Sequence, residues 1–234
     1  MHELEVAHWD IASVNRTEVL RYLGHAGQEM TDALSARIDD GIDRCLDVCQ
    51  PAGAFRIFDI GHAGDCGVTL EGGPELRGHD IAAHLAGSTQ VALVACTLGL
   101  ACEREITRLG IVSPLDQAVF DAAASALVER AADAAEARVM EVAAQRGLFC
   151  TDRFAPGYGD LPLDVQDGIL RALDASKRLG MSATPSHMLV PSKSETAVIG
   201  LADAPQPHRT DRMCGVCGLA DFCTIRHTGR TCRG

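Results

Sequence analysis

A long alanine-rich segment, residues 114–145, most strongly constrains the fold of this chain. Pro114 suits the first turn of a helix, where a missing backbone N–H costs nothing, and alanine is the best helix former. Gly147 provides the stop. The segment therefore predicts one long helix that ends at about Gln145.

Shorter helices and strands surround this helix in the sequence. Apolar residues recur about every four positions after Thr31, which predicts a helix over residues 31–49 with Thr31 as its cap. Further helices are predicted at 79–85, 100–109 (ended by Gly110) and 163–179, and strands at 54–60, 67–70, 91–96, 188–190 and 196–201. The elements do not follow a strict βαβ rhythm, and neither a GxGxxG nor a Walker loop is present. The predicted fold class is α+β.

Composition and charge exclude several classes of function. The 234 residues are 47% hydrophobic, enough for a real core, and carry a net charge of −11, which disfavours nucleic acid as a partner. The N-terminus lacks the pattern of a signal peptide, and no uncharged apolar run approaches the length of a membrane span. We expect a cytoplasmic protein whose ten cysteines are reduced thiols or metal ligands.

Residues 153–163, Arg-Phe-Ala-Pro-Gly-Tyr-Gly-Asp-Leu-Pro-Leu, combine an arginine, a Pro-Gly pair and a tyrosine within six positions. Pro156 fixes φ and Gly157 accepts a positive φ, so residues 155–158 predict a type II turn. Arg153 offers a planar fork for a carboxylate or phosphate, and Tyr158 offers a flat face and a hydroxyl. The residues alone leave two interpretations open: a ligand-binding loop, or a surface turn before a helix.

The motif Arg-x-x-Pro-Gly-Tyr, from Arg153 to Tyr158, resembles the signature loop of the activation (reactivation) domain of cobalamin-dependent methionine synthase. The helix ending at residues 179–181 (Leu-Gly-Met), the segment 186–194 (Ser-His-Met-Leu-Val-Pro-Ser-Lys-Ser) and the apolar run 197–200 follow in the order typical of that family. Residues 20–24 (Leu-Arg-Tyr-Leu-Gly) and 96–99 (Cys-Thr-Leu-Gly) resemble members in which the domain is a separate protein. The resemblance spans residues 17–202.

The resemblance implies a fold and a ligand. The fold would be an antiparallel sheet with flanking helices, and the ligand would be S-adenosylmethionine, with its carboxylate on Arg153 and its adenosyl end on Tyr158. The backbone at Ala155 and Gly157 would read the adenine. The family also has a glutamate on the helix before the loop, and counting back from Arg138-Val139 places it at Glu129, as a partner for the ligand ammonium.

Two positions, Glu129 and Lys193 of the segment 186–194, also have simpler interpretations. Glu129 is either this ligand contact or one more solvated glutamate on a surface helix. Lys193 either borders the site or is a solvated lysine.

The C-terminal segment differs from the rest of the chain in its prolines, its charge and its cysteines. Two prolines at 205–207 mark a boundary, which divides the chain into a body, 1–204, and a tail, 205–234. The charged side chains beyond residue 207 sum to +3, so the rest of the chain carries −14. The tail holds four cysteines at spacings that suit zinc or an iron–sulfur cluster: Cys214, Cys217, Cys223 and Cys232. A redox or regulatory dithiol at the CxxC pair, or cysteines without a special role, are the alternatives.

The resemblance implies reductive methylation of a partner's cob(II)alamin, with S-adenosylmethionine as methyl donor. The chain would be the reactivation component of a split cobalamin-dependent methionine synthase in methionine biosynthesis. It lacks a corrinoid-binding Asp-x-His-x-x-Gly motif, so the cobalamin would be carried by a corrinoid-binding methyltransferase subunit, and a flavodoxin or ferredoxin would supply the electron. The family's paired tyrosines after the last strand are missing, since Tyr22 and Tyr158 are the only tyrosines. The alternative is therefore a metal- or cluster-bearing electron-transfer or adaptor protein of a corrinoid methyltransferase system that does not use S-adenosylmethionine.

Overall fold

The computed structural model describes residues 3–205, which form a twisted antiparallel sheet covered by helices. The main sheet has seven strands in the order β4-β3-β2-β5-β9-β6, with β1 paired to β2. Its strands are β1 (Glu5–His8), β2 (Ala52–Gly64), β3 (Gly67–Leu70), β4 (Glu75–Arg77), β5 (Ser88–Thr97), β6 (Phe149–Cys150) and β9 (Ser194–Ala202). A separate two-stranded sheet contains β7 (Ser182–Ala183) and β8 (Leu189–Val190).

Seven helices connect and cover the strands in the described residues. They are α1 (Arg16–Tyr22), α2 (Asp32–Val48), α3 (His79–His84), α4 (Gly99–Val112), α5 (Pro114–Gln145), α6 (Val165–Ala172) and α7 (Ala175–Leu179). The predicted α+β class, an antiparallel sheet with flanking helices, is confirmed.

Helix α5 forms where the sequence predicts it, from Pro114 to Gln145. The Ser113 side chain caps its N-terminus by accepting a hydrogen bond from Asp116 N, and Pro114 occupies the first turn. Many of its alanines are buried against the sheet and the neighbouring helices. Because alanine side chains are small, α5 can lie close to the strands along its length.

The sheet has apolar residues on both faces, as its central strand β5 shows. Ala92, Val94 and Cys96 point toward α5, whereas Val91 and Leu93 pack in the core on the opposite face. The opposite core includes residues of α3, α6 and α7. The continuous apolar run predicted as a buried strand is therefore the centre of a three-layer arrangement.

Two helix predictions are wrong, for local physical reasons: the end of α4 and the continuity of the helix over residues 163–179. Helix α4 passes through Gly110 and ends at Val112, before the Ser113-Pro114 start of α5. A glycine inside a helix costs only about 1 kcal/mol relative to alanine, so Gly110 does not by itself end α4. Gly110 faces the end of the Gln117 side chain of α5, which a Cβ would approach to 3.0 Å.

The predicted helix over residues 163–179 is two helices rather than one. Asp174 has a φ of 50°, a left-handed conformation that ends α6 and starts α7 in a new direction.

The predicted tail, 205–234, lies outside the described residues except for Pro205. None of the helices within residues 3–205 is both long and apolar enough to cross a membrane.

Candidate functional site

A polar stripe runs along the otherwise alanine-rich helix α5. Asp121, Ser125, Glu129 and Asp133 follow one another at intervals of four residues. Because an α-helix has 3.6 residues per turn, this spacing places the four side chains along one side of α5. The stripe is less buried than the alanine face, and Glu129 and Asp133 are both exposed.

Arg153 lies against the C-terminal half of this stripe. Its Nη2 is 2.9 Å from Asp133 Oδ1 and 3.9 Å from Glu129 Oε2, and its Nε is 3.2 Å from Glu136 Oε2. The side chain is only 12% exposed. The predicted pair Arg153 and Glu129, 24 positions apart in sequence, is therefore brought together by the fold.

The backbone next to Arg153 is fixed by the central sheet. Phe154 N donates to Val198 O at 2.9 Å, and Val198 N donates back to Phe154 O at 2.8 Å. Phe154 is buried in the core opposite α5, whereas Arg153 is directed at α5. The alternation of side chains along an extended segment explains this division.

Several carboxylates act on the charge state of Arg153. Burial by itself lowers the pKa of Arg153, but the negative charges of Glu195 and Glu136, followed by Asp133 and Glu129, raise it overall. Glu195 belongs to β9 and lies opposite Cys96 of β5 in the strand register. The guanidinium therefore remains fully cationic in a strongly acidic environment.

The predicted turn after Arg153 is present. Tyr158 N donates to Ala155 O at 3.1 Å, which closes the turn, and Gly157 has a φ of 91°, as a type II turn requires. The Tyr158 ring is 47% exposed and meets Phe154 edge-on, with 6.5 Å between ring centroids. An exposed aromatic face and the backbone of a tight turn thus lie beside the segment that carries Arg153.

The far end of this loop is anchored to α3. The Asp160 carboxylate accepts hydrogen bonds from His79 N at 2.6 Å and Asp80 N at 3.0 Å. These backbone donors, first that of Asp80 and then that of His79, lower the pKa of Asp160. Gly159 sits so close to Asp80 that a Cβ would lie 2.3 Å from the carboxylate. The loop is therefore held at both ends.

Lys193 provides a second cation on the stripe. Its Nζ lies 2.9 Å from Asp121 Oδ1 and 2.9 Å from Ser125 Oγ, and its side chain is 15% exposed. Its carbonyl accepts a hydrogen bond from Leu98 N at 3.0 Å. The interpretation of Lys193 as a solvated lysine is wrong, because the fold holds this ammonium against α5.

Helix α1, which carries Tyr22, packs against α5 through Val19. Burial raises the pKa of Tyr22, and the negative charge of Glu129 raises it further.

Sequence reasoning missed Glu136 and Glu195 as neighbours of Arg153. The polar residues at intervals of four on α5 were a usable signal for an exposed stripe that includes Glu129. No local pattern indicates Glu195, since its position depends on the pairing of β5 with β9.

The predicted metal ligands Cys214, Cys217, Cys223 and Cys232 lie outside the described residues. Within residues 3–205, no group of three or more His, Cys, Asp or Glu side chains is arranged to hold a metal ion. Four other cysteines are buried in the core: Cys45, Cys49, Cys96 and Cys102.

Comparisons with known proteins agree with this architecture. No family model and no curated protein matches the sequence. Among solved structures, the chain is similar to the crystal structure of the MetH reactivation domain bound to AdoHcy, with a TM-score of 0.64 and 16% sequence identity. The match covers 98% of this chain and 86% of the other. The fold is that of the MetH reactivation domain.

Proposed function

We propose that this chain is a member of the reactivation-domain family and binds S-adenosylmethionine at the face formed by α5 and the loop after Arg153. The single observation that carries the proposal is the approach of Arg153 to Glu129, 3.9 Å, beside a Pro-Gly-Tyr turn whose Gly157 and Tyr158 are exposed. The similar solved domain, which is bound to AdoHcy, supports the choice of ligand.

Arg153 and Glu129 can recognise the two charged groups of the ligand's amino-acid end. A guanidinium binds a carboxylate through two parallel hydrogen bonds, and a carboxylate pairs with an ammonium. Asp133 is 50% exposed, so its carboxylate can turn to solvent when the ligand carboxylate takes its place on Arg153. The backbone at Ala155 and Gly157 would then contact the adenine, and Tyr158 the adenosyl group.

The reaction that this arrangement supports is reductive methylation of cob(II)alamin carried by a partner. One electron, supplied by a flavodoxin or ferredoxin, would give cob(I)alamin. Its cobalt electron pair would attack the methyl carbon of the sulfonium, so that a Co–CH₃ bond forms as the S–CH₃ bond breaks and the neutral thioether leaves. No side chain of this protein acts as the nucleophile. The contribution of this chain is to hold the methyl donor in position and to keep competing reactions away from it.

The partner would be the corrinoid-binding subunit of a split methionine synthase. Incubation of this protein with that subunit as cob(II)alamin, a reductant and methyl-labelled S-adenosylmethionine should yield labelled methylcobalamin, followed by its absorbance and by mass spectrometry. The Arg153→Ala protein serves as the matched control and should give little product. Failure of the wild-type protein with every corrinoid protein tested would overturn the proposal.

A second candidate function comes from the sequence of the tail. Four cysteines in residues 205–234, and the absence of tyrosines after the last strand, favour a zinc- or iron–sulfur-bearing adaptor or electron-transfer protein. Metal analysis and the absorption spectrum of the anaerobically purified chain, with Cys214→Ser as the control, distinguish a zinc site from a cluster. A metal-bearing wild-type chain that does not bind S-adenosylmethionine would favour this second function over the first.

A further inference from the structure

We infer that the proposed site selects the positively charged methyl donor over its neutral demethylated product, because the charge around Arg153 and Lys193 is strongly negative. This inference rests on the proposed function, since it concerns the same ligand site. It adds a specificity that the residues would impose and a reason for product release.

The excess of negative charge follows from a count of the charged groups around Arg153 and Lys193. Two cations, Arg153 and Lys193, face five carboxylates, so the net formal charge of the site is −3. The carboxylates are Asp121, Glu129, Asp133, Glu136 and Glu195.

The two signs of charge are also unequally exposed. The side chains of Arg153 and Lys193 are 12% and 15% exposed, and both are engaged in ion pairs. Glu129 and Asp133 are 53% and 50% exposed. A ligand that approaches the stripe therefore meets carboxylates before it meets the cations.

The methyl donor and its product differ in the charge that this surface would detect. S-adenosylmethionine carries an ammonium, a sulfonium and a carboxylate, for a net charge of +1. When the methyl group leaves, the sulfur keeps the electron pair of the broken S–CH₃ bond and becomes a neutral thioether. The product S-adenosylhomocysteine (AdoHcy) therefore has no net charge, and the attraction between the sulfonium and the acidic site is lost with the transfer.

The expected size of this preference follows from Coulomb's law. One unit of charge several ångströms from an excess of carboxylates, in a partly exposed site, should change affinity by roughly tenfold or more. The preference should fall as salt is added, since the Debye length shortens to about 3 Å at 1 M.

Calorimetric titration of the full chain with S-adenosylmethionine and with AdoHcy tests the inference. A third ligand, the amine analogue with CH–NH₃⁺ in place of S⁺–CH₃, separates the effect of charge from that of the methyl group. We expect the wild type to bind both cationic ligands at least about tenfold more tightly than AdoHcy. In the Asp133→Asn/Glu136→Gln protein, we expect this ratio to fall to about threefold or less.

The ratio of two dissociation constants from one preparation is insensitive to partial unfolding, which affects both ligands equally. Glu141→Gln, a neutralised glutamate on the same helix that pairs with Arg138 instead, should leave the ratio unchanged. Equal affinity of the wild type for the cationic and neutral ligands, or an unchanged ratio in the double variant, would overturn this inference and leave the proposed function standing. If a folded wild-type chain bound none of the three ligands, the proposed function would fail and this inference would fail with it.

Discussion

The guanidinium of Arg153 and the carboxylate of Glu129 lie 3.9 Å apart, from Nη2 to Oε2, whereas Asp133 approaches the same nitrogen to 2.9 Å. The first distance exceeds that of a direct hydrogen bond, and the second does not. Of the three α5 carboxylates that pair with Arg153, Glu129 is the most distant. This relationship suits a pair of groups that would bind opposite ends of a zwitterion.

Arg153→Ala is expected to weaken binding of S-adenosylmethionine by about 10- to 150-fold, because a hydrogen bond to a charged group is worth roughly 1.5–3 kcal/mol. Arg153→Lys should recover little, because a point charge does not reproduce the two-pronged guanidinium. Calorimetry measures both affinities, and Arg171→Ala, which removes an exposed arginine from α6, is the matched control. A folded Arg153→Ala protein with wild-type affinity would remove Arg153 from the site.

Glu129→Gln should weaken binding of the same ligand by about tenfold or more, because a neutral amide replaces the carboxylate that faces the ammonium. Helix α5 should stay intact, since glutamate and glutamine are both good helix formers. Calorimetry gives the affinity, and circular dichroism verifies the helix content. Unchanged affinity would return Glu129 to the role of a solvated surface residue.

Gly157→Ala should lower both stability and ligand affinity. The φ of 91° strains any residue with a Cβ, and the new Cβ would lie 3.1 Å from Leu163 Cδ2. We expect a loss of about 1–2 kcal/mol in the free energy of unfolding, and a loss of about fivefold or more in affinity as the turn shifts.

Gly72→Ala is the control for this prediction. Gly72 has a φ of 72° in a turn between β3 and β4, and a Cβ added there would meet no atom of the described residues within 4 Å. The variant should lose similar stability in urea denaturation and keep its ligand affinity. Equal affinities for the two variants would argue against a contact between the ligand and the turn at residues 155–158.

Glu105 should make stability depend on pH in the acid range. Hydrogen bonds from Arg108, and then from Arg44, lower the pKa of Glu105 to about 2 from an ordinary 4.5, against burial, which raises it. Because the pKa is lower in the folded state, the stabilisation is complete above about pH 4.5 and is lost as the pH falls toward 2.

Glu105→Gln should therefore lower the free energy of unfolding by about 1–2 kcal/mol at pH 7, a modest value because both arginines are about half exposed. The difference from wild type should shrink between pH 4.5 and 2. Urea denaturation at several pH values measures it, and Glu75→Gln, at an exposed position on β4, is the control. A difference that stays constant with pH would contradict this role of Glu105.

The sequence predicts the helices and strands best where local chemistry determines their ends. The bounds of α5 follow from Pro114 and from the preference of alanine for the helix, and the start of α2 follows from the Thr31 cap. Strand β1 was not predicted, because its four residues are stabilised by pairing with β2 and not by a pattern of their own. The same reason applies to β6, a two-residue strand defined by its pairing with β9.

The residues of the candidate site also fall into two groups: those that the sequence indicates and those that only the fold brings together. Arg153 and the Pro-Gly turn are visible in a short motif, whereas Glu129 is located through the family resemblance, by its distance from Arg138-Val139. The closeness of Lys193 to Asp121 and Ser125 requires the fold, because residues 68 or more positions apart meet only when β9 is seated in the sheet. A single sequence does not specify such long-range contacts through local patterns.

The small side chains on the hidden side of α5 have a consequence for genetics. Ala132 and Ala135 are each 2% exposed and alternate with the site residues Asp133 and Glu136. Ala135 packs against the strands, and Ala132 packs in the cluster that α5 forms with the neighbouring helices. A larger residue at either alanine would shift α5 and carry both carboxylates with it. If the proposed methyl transfer can be selected against, the selection should therefore recover changes on a buried surface that the proposed ligand does not touch. The positions recovered would therefore include buried alanines of α5 as well as residues that contact the ligand.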